Sequence, residues 1–144
     1  MPYRFLDEIT ISDAAFEATG CTLDEMFAAA ADACIRVMVE DLASVQSKEK
    51  RTIDLEAETV EMLLFAFLQE LIYFKDAENL LLRVPDASVR ECEPGRVAVT
   101  GTGTGEVIDP ERHVLGTDVK AVTLHRFDVH RTGKGWTSTV VLDV

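Results

Sequence analysis

Two aspartates interrupt apolar stretches near the two ends of this 144-residue sequence. Asp13 lies in the stretch ISDAAF (11–16), and Asp143 lies in the closing run VVLDV (140–144). A carboxylate with apolar neighbours is costly unless it lies at a solvent edge, accepts hydrogen bonds or contacts a cation. The spacing alone favours a charged edge strand that discourages pairing with other chains, with a metal site as the second interpretation.

The glycine-rich stretch 101–105, GTGTG, invites a nucleotide-binding interpretation. A dinucleotide fingerprint needs a third glycine three residues after the second, and that position holds Glu106. No helix is predicted directly after the stretch, so no helix N-terminus is available to hold phosphate. We therefore predict a glycine-rich strand in a place where backbones crowd together.

Histidine and nucleophile patterns give little support to catalysis. His125 and His130 lie five residues apart on a predicted strand, so they point to opposite faces of the sheet and cannot share a metal without a bulge. No nucleophile elbow and no His-Glu helix motif is present. An independent hydrolase is the least favoured of the functions considered, and we predict that the chain is not an enzyme.

The charge balance limits the possible partners. The sequence has 26 acidic and 14 basic side chains and a formal net charge of −12. Such a field repels phosphate backbones and favours cations and basic protein surfaces. Strong direct nucleic-acid binding is therefore not expected. The charge does not exclude a role in RNA processing through a partner protein that binds the RNA.

Cysteine use and hydropathy indicate an intracellular domain. The three cysteines, Cys21, Cys34 and Cys92, are odd in number and lack metal-binding spacing, and Cys34 is predicted to be a core thiol. The first residues do not resemble a secretory signal, and the longest apolar run, 62–68, is too short to span a bilayer. The expected location is the cytoplasm, with no membrane association.

Hydrophobic periodicity predicts two helices among many strands. Thr22 with Glu25 forms a capping box that opens a helix ending at 39–41, and Thr59 opens a second helix from 60 to about 75. One or two strands are predicted at 5–19, interrupted or bent near Asp13, and further strands at 51–57, 80–84, 88–93, 96–107, 119–131 and 134–144. This order predicts an α+β fold, with a mixed, largely antiparallel sheet packed by two helices in a single domain, residues 1–144.

The second helix carries apolar residues on two sides. Beside its main stripe, Met62, Phe65 and Ile72 form a second apolar set. Burial on both sides within the domain is the simpler interpretation. The alternative is a surface that binds another protein.

Several segments together resemble the archease family from Tyr3 to Val144. They are DPERH (109–113), GTDVKAVTLH (116–125), Trp136 with VVLDV (140–144), Gly20 with the helix start TLDEMF (22–27), and the second-helix segments EMLL (61–64) and ELIY (70–73). The resemblance implies a small, metal-binding accessory protein. Its partner would be the ligase that joins RNA 3′-phosphate or cyclic-phosphate ends to 5′-hydroxyl ends in tRNA splicing and RNA repair, and it would promote ligase guanylylation and multiple turnover.

The resemblance also assigns four metal ligands, Asp13, Asp143, Val144 and Asp41, and two partner contacts. Asp13 matches the second aspartate of the family motif Asp-His-Thr-Ala-Asp, and Asp143 matches the aspartate of its closing strand, with Val144 bringing a terminal carboxylate. Asp41 fits the aspartate after the first helix with one extra residue. Lys120 and His125 match the Lys-Ala-Val-Thr-x-His stretch and are assigned to partner contact.

This sequence departs from the family at the first half of that N-terminal motif. Where the family has Asp and His, this chain has Ile9 and Thr10, which puts full ligase-activating competence in question. The remaining oxygen ligands suit Ca²⁺, Mg²⁺ or Mn²⁺ better than zinc. The sequence does not choose among these ions, nor does it give the oligomeric state or the RNA substrate. The alternative function is a chaperone-like partner of an RNA-processing or RNA-modifying enzyme, acting through protein–protein contacts.

Overall fold

Two capped helices and eight strands make up the part of the chain that the computed structural model describes, residues 2–6 and 13–144. The predicted family-motif positions Ile9 and Thr10 lie outside the described residues. In chain order the elements are β1 (Tyr3–Leu6), β2 (Asp13–Gly20), α1 (Leu23–Met38), a short 3-10 helix (Leu42–Ser44), β3 (Glu49–Ala57), α2 (Val60–Glu78), β4 (Leu80–Arg83), β5 (Ser88–Glu93), β6 (Arg96–Val107), β7 (Ala121–Thr132) and β8 (Gly135–Asp143).

The helices begin where their capping residues predict. The Thr22 hydroxyl accepts from the Glu25 amide at 3.2 Å, and the Glu25 carboxylate accepts from the Cys21 amide at 2.7 Å. Thr59 caps α2 in the same way, and Asn79 ends it in the left-handed conformation at φ 53°. Because a capping threonine stands at the start of each helix, both helix starts could be predicted from the sequence.

Two antiparallel sheets enclose the helices. The first sheet has the order β1-β2-β8-β7, and the second has the order β3-β6-β4 with β5 also paired to β6. Every strand pairing among the described residues is antiparallel. Both α1 and α2 contact strands of both sheets, so the apolar core lies on two sides of each helix. This confirms the predicted α+β class.

The double burial of α2 decides between the two interpretations of its second apolar set. Ile72 is buried, Phe65 packs edge-on against Phe127 with ring centroids 5.9 Å apart, and only Met62 is half exposed. The prediction that all three form a protein-binding surface is therefore wrong for Ile72. The physical reason is that α2 lies between the two sheets, with Phe127 on β7 of the first sheet covering Phe65.

The glycine-rich stretch lies inside β6, as predicted. A side chain at position 105 would place its Cβ 1.6 Å from the main-chain oxygen of Leu81 in β4. Only glycine allows β4 and β6 to approach this closely. The stretch therefore has a packing role.

Residues 108–120, which we call the crossover segment, connect the second sheet to the first. The segment pairs with the end of α1 through the Val39–Leu115 bridge and through the Gly116 amide, which donates to the Met38 carbonyl at 2.9 Å. Val119 is buried in the core. The segment thus delivers the chain to the start of β7 along a fixed route. None of the helices in the described ranges is both long and apolar enough to cross a lipid bilayer.

Candidate metal centre

The pairing of β2 with β8 brings the two predicted aspartates together. Asp13 is the first residue of β2, Asp143 is the last residue of β8, and the two are direct cross-strand partners. Directly opposed residues in an antiparallel pair point to the same face of the sheet, with Cβ atoms roughly 4.5–5.5 Å apart. The convergence of the two ends of the chain, expected from sequence, is present in the fold.

The two carboxylates are next to an apolar floor. Side chains alternate between faces along a strand, so Ala15 and Val141 lie on the same face as Asp13 and Asp143. Ala15 and Val141 are buried, and the two aspartates are half-buried. Two like charges directly opposed across a strand pair repel each other, and partial burial weakens the screening by water. A cation between them would replace this repulsion with two attractions.

Asp143 is also held from its other side. It is the cross-strand partner of Ala121 at the start of β7, and its carbonyl accepts from the Lys120 amide at 2.8 Å. The backbone of Asp143 is therefore fixed between β2 and the end of the crossover segment. The Lys120 side chain is exposed at this end of the sheet, where a partner can reach it.

Other predicted residues lie in different settings. The exposed Asp41 caps the 3-10 helix, because its Oδ1 accepts from the Ala43 amide at 3.0 Å. Val144 is half-buried directly after β8, packed against the core. His125 is exposed in the part of β7 between Thr123 and Asp128, where the register of the pairing with β8 shifts. The assignments of Asp41 and Val144 to a metal and of His125 to a partner stay predictions.

The donor set of the pair fits a hard divalent cation. Across residues 2–6 and 13–144, no three His, Cys, Asp or Glu side chains are grouped closely enough to hold a metal ion. The side-chain donors that the described fold does offer here are the two carboxylates of Asp13 and Asp143. Carboxylate oxygens without sulfur or imidazole suit Ca²⁺, Mg²⁺ or Mn²⁺, and Mg²⁺ in particular often keeps several water ligands beside one or two carboxylates.

A buried network around Glu106 was not predicted from sequence. Glu106 Oε1 lies 2.8 Å from Nε2 of the buried His113 and accepts from the Gln46 amide at 2.9 Å, and Arg112 pairs with the other oxygen. Because His113 Nδ1 accepts from the Asp109 amide, Nε2 carries the hydrogen that is donated to Glu106. Burial opposes the charge, but the hydrogen bonds from Arg112, the Gln46 amide and His113 lower the pKa of Glu106 to about 2.

This network holds the start of the crossover segment against the end of β6. A carboxylate directly after the glycine-rich stretch, followed seven residues later by a histidine, was the available sequence signal. Both side chains are buried and fully partnered, so the network has a structural role.

A second buried charge lies on α2. The Lys75 ammonium, only 5% exposed, donates to Asp118 at 2.6 Å and also to the neighbouring Asp76. Desolvation acts against the charge, yet the hydrogen bonds to Asp118 and Asp76 raise the pKa of Lys75 overall. In sequence, Lys75 is one more residue of an amphipathic helix, so nothing there distinguishes it from a solvent-exposed lysine.

A cavity of about 700 Å³ lies at the opposite end of the first sheet from the aspartate pair. Its lining includes Gly20 and Trp136, the cross-strand partners at the other end of the β2–β8 pairing. Along β8 the cavity is about 24 Å from Asp143 at the usual rise per residue. Its carboxylates already have partners: Glu25 caps α1, and Asp32 pairs with Arg83 at 2.8 Å. The cavity is therefore separate from the candidate metal centre.

The sequence and the fold are similar to those of known proteins. The model of the Archease protein family (MTH1598/TM1083) matches residues 3–144. A protein named "Protein archease" from Pyrococcus furiosus is 35% identical over 135 residues, covering 92% of this chain and 93% of that protein. Another "Protein archease", from Archaeoglobus fulgidus, is 34% identical over 144 residues and covers 100% of both.

Solved structures agree with this similarity. The solution structure of protein 1598 from Methanobacterium thermoautotrophicum aligns with a TM-score of 0.84 at 33% identity, covering 99% of each chain. A crystal structure from Thermotoga maritima, described as an archease and possible chaperone, aligns with a TM-score of 0.60 at 18% identity over 98% of each chain. The second alignment supports the fold alone.

Proposed function

Because this chain belongs to the archease family, we propose that it is a metal-binding accessory protein that activates an RNA-splicing ligase. The ligase joins 3′-phosphate or cyclic-phosphate ends to 5′-hydroxyl ends, and the accessory protein promotes its guanylylation and multiple turnover. Both properties are implied by the sequence resemblance. In this proposal the chain itself is not an enzyme.

The cross-strand pairing of Asp13 with Asp143 carries the proposal. Those two carboxylates, with Val144 as a further oxygen donor, are the proposed ligands of Ca²⁺, Mg²⁺ or Mn²⁺. Such an ion supplies positive charge for phosphate oxygens. The half-buried setting of the two aspartates and the apolar floor of Ala15 and Val141 favour a bound cation beside the carboxylates.

The charge of the chain is consistent with an activator that does not bind RNA itself and whose partner, the ligase, binds the RNA. A net charge of −12 disfavours direct contact with an RNA backbone and favours a basic protein surface. Lys120 and His125 are both exposed, and both are proposed partner contacts. Lys120 adjoins Asp143 through its main chain, so partner contact and ion binding would occur at the same end of the sheet.

A reconstituted ligation reaction tests the proposal. The chain, the RNA-splicing ligase, GTP, Mn²⁺ and cleaved tRNA halves are mixed, and both joined RNA and guanylylated ligase are measured over time. We expect the ligase to pass beyond a single turnover only when the chain is present. Asp143→Asn should remove most of this gain. No rate increase at stoichiometric amounts of the chain would refute the proposed function.

The matched control is Asp54→Asn on β3. Asp54 is exposed and lies opposite Thr100 in the second sheet, so this variant changes the net charge by the same amount at a site remote from the aspartate pair. It should activate as the unmodified chain does. Equal loss in both variants would assign the effect to net charge.

A chaperone-like role is the second candidate, supported by the description of the Thermotoga maritima structure and by exposed apolar side chains. Leu124 is 66% exposed and Met62 is 50% exposed. This role predicts that replacing both with serine abolishes association with the partner while divalent-ion affinity is unchanged. The ligase-activator hypothesis predicts that Asp143→Asn loses divalent-ion affinity and ligase activation. The two roles are therefore distinguished by which variant loses function.

A further inference from the structure

Shortly before it reaches Asp143, the crossover segment forms an ion pair with the buried Lys75 of α2. Lys75 donates to Asp118 at 2.6 Å, Val119 inserts into the core, and the Lys120 amide donates to the Asp143 carbonyl at 2.8 Å. Only one residue, Val119, separates Asp118 of the ion pair from Lys120, whose amide holds Asp143. A displacement of Asp118 would therefore be transmitted directly to the backbone of the proposed ligand.

The burial of Lys75 makes this pair unusual. The Asp118 carboxylate is 66% exposed, whereas the Lys75 side chain is 5% exposed. An exposed aspartate in a loop normally has many conformations, and an exposed ion pair does little to restrict them. Here the ammonium is fixed in the protein interior, close enough to the buried thiol of Cys34 to affect its pKa. The carboxylate is thus held against a rigid point of α2.

We propose that Lys75 is a positioning residue for the candidate metal centre, acting through Asp118 and the Lys120 amide on Asp143. The inference rests on the proposed function, because it assigns a role toward the same ion site. Other contacts hold the earlier part of the crossover segment: the Glu106–His113 network at its start and the bridge to Val39 at its middle. Lys75 holds Asp118 shortly before β7, beside the buried side chain of Val119. The Gln69 side chain of α2 accepts from the Val122 amide at 2.7 Å, within the first residues of β7.

Lys75→Met is a suitable perturbation because it preserves most of the side-chain volume. Removing one partner of an ion pair is destabilising when the charge left behind is buried, but Asp118 and Asp76 are both more than half exposed and stay solvated, so this variant should fold. Asp118→Asn removes the same contact from the other side. Both variants leave Asp13, Asp143 and Lys120 unchanged.

The expected result is weaker ion binding without lower thermal stability. Measured with Mn²⁺ alone by electron paramagnetic resonance, Lys75→Met should raise the Kd about tenfold, within the range for groups that support metal ligands. Asp118→Asn should raise the Kd by a similar factor. The double variant should lose little further affinity, because both substitutions break the same contact between Lys75 and Asp118. Amide hydrogen exchange at Lys120 should accelerate in both variants, with or without Mn²⁺.

Arg83→Met is the matched control. Arg83 pairs with Asp32 between β4 and α1, at 2.8 Å, and Asp32 lines the cavity at the other end of the first sheet. Breaking this pair should leave the Kd for Mn²⁺ and the exchange of the Lys120 amide unchanged. A Kd that rises equally in Arg83→Met and Lys75→Met would show a general loss of packing and overturn the positioning role.

The outcomes separate this inference from the proposed function. If the unmodified chain binds no Mn²⁺, the proposed metal centre is wrong and the positioning role is overturned with it. If the unmodified chain binds Mn²⁺ and Lys75→Met binds it equally well, the positioning role alone is wrong. Unchanged exchange of the Lys120 amide in Lys75→Met would contradict the structural step directly, whatever the ion does.

Discussion

Neutralising Asp143 should have opposite effects on stability in the absence and presence of a divalent ion. Without the ion, Asp143→Asn removes a negative charge directly opposite Asp13. Relief of such a cross-strand pair is worth about 0.2–1 kcal/mol. The asparagine keeps the shape and a hydrogen-bonding capacity. In a chelator the variant should therefore unfold at the same temperature as the unmodified chain or slightly above it.

With the ion, the order should reverse. A ligand at a hundred times its Kd stabilises the folded state by about 2.7 kcal/mol. For a chain of this length the entropy of unfolding near the midpoint is about 0.3 kcal/mol/K, so the Tm of the unmodified chain should rise by about 9 °C. Asp143→Asn, with one carboxylate lost, should gain no more than about 5 °C under the same conditions, because a Kd weakened at least tenfold leaves at most about 1.4 kcal/mol of stabilisation.

Calorimetry of both chains with EDTA and with Mn²⁺ measures all four transitions. The exposed Asp54→Asn should match the variant in net charge but keep the full Mn²⁺-dependent increase. The reasoning fails if Asp143→Asn is destabilised in EDTA as much as in Mn²⁺, because the carboxylate would then act through ordinary hydrogen bonds. It also fails if the Mn²⁺-dependent increase survives the substitution.

Three further predictions, two of them with a matched control, test the fold that carries the site. The pKa of Glu106 is lowered to about 2, so its contribution to the free energy of unfolding is fully present above its ordinary pKa, near 4.5, and is lost as pH falls toward 2. In Glu106→Gln the stability, followed by circular dichroism, should therefore decrease less steeply between pH 4.5 and 2. Gly105→Ala should prevent correct folding by chain overlap with β4, whereas Gly133→Ala, with open space around it, should leave Tm unchanged within about 2 °C. Ile72→Ala should lower the free energy of unfolding by about 2–4 kcal/mol in urea titrations, and Met62→Ala by less than about 0.5 kcal/mol.

Local signals in the sequence were sufficient for most of the architecture. The helix starts at Thr22 and Thr59 were predictable because capping is encoded within four residues, and the strand pattern after Asn79 follows an alternation of period two. The pairing of Asp13 with Asp143 was inferred only through the family resemblance. Register between strands 130 residues apart depends on which hydrophobic faces meet, and no local pattern specifies that.

The features missed from sequence depend on tertiary contacts. Lys75 has the same local sequence signature as any lysine near the end of a helix, and it becomes a buried anchor only because the crossover segment places Asp118 over it. Glu106 similarly becomes buried because Arg112 and His113 return to it through a turn. In both cases a buried charge is paired with a group that is brought by a segment without regular secondary structure.

The position of the aspartate pair links ion binding to the folding of the whole domain. Asp13 and Asp143 are the cross-strand pair at one end of the pairing of β2 with β8, and β8 is an inner strand of the first sheet. An ion held by both carboxylates joins segments that enclose nearly the entire chain, so it cannot be bound in this way by the unfolded state without closing a very long loop. Since binding is then confined to the folded protein, the stabilisation should appear as a shift of the single cooperative unfolding transition. Loosening of the β2–β8 end alone, with the second sheet unaffected, would instead mean that the ion is a local ligand of a frayed edge.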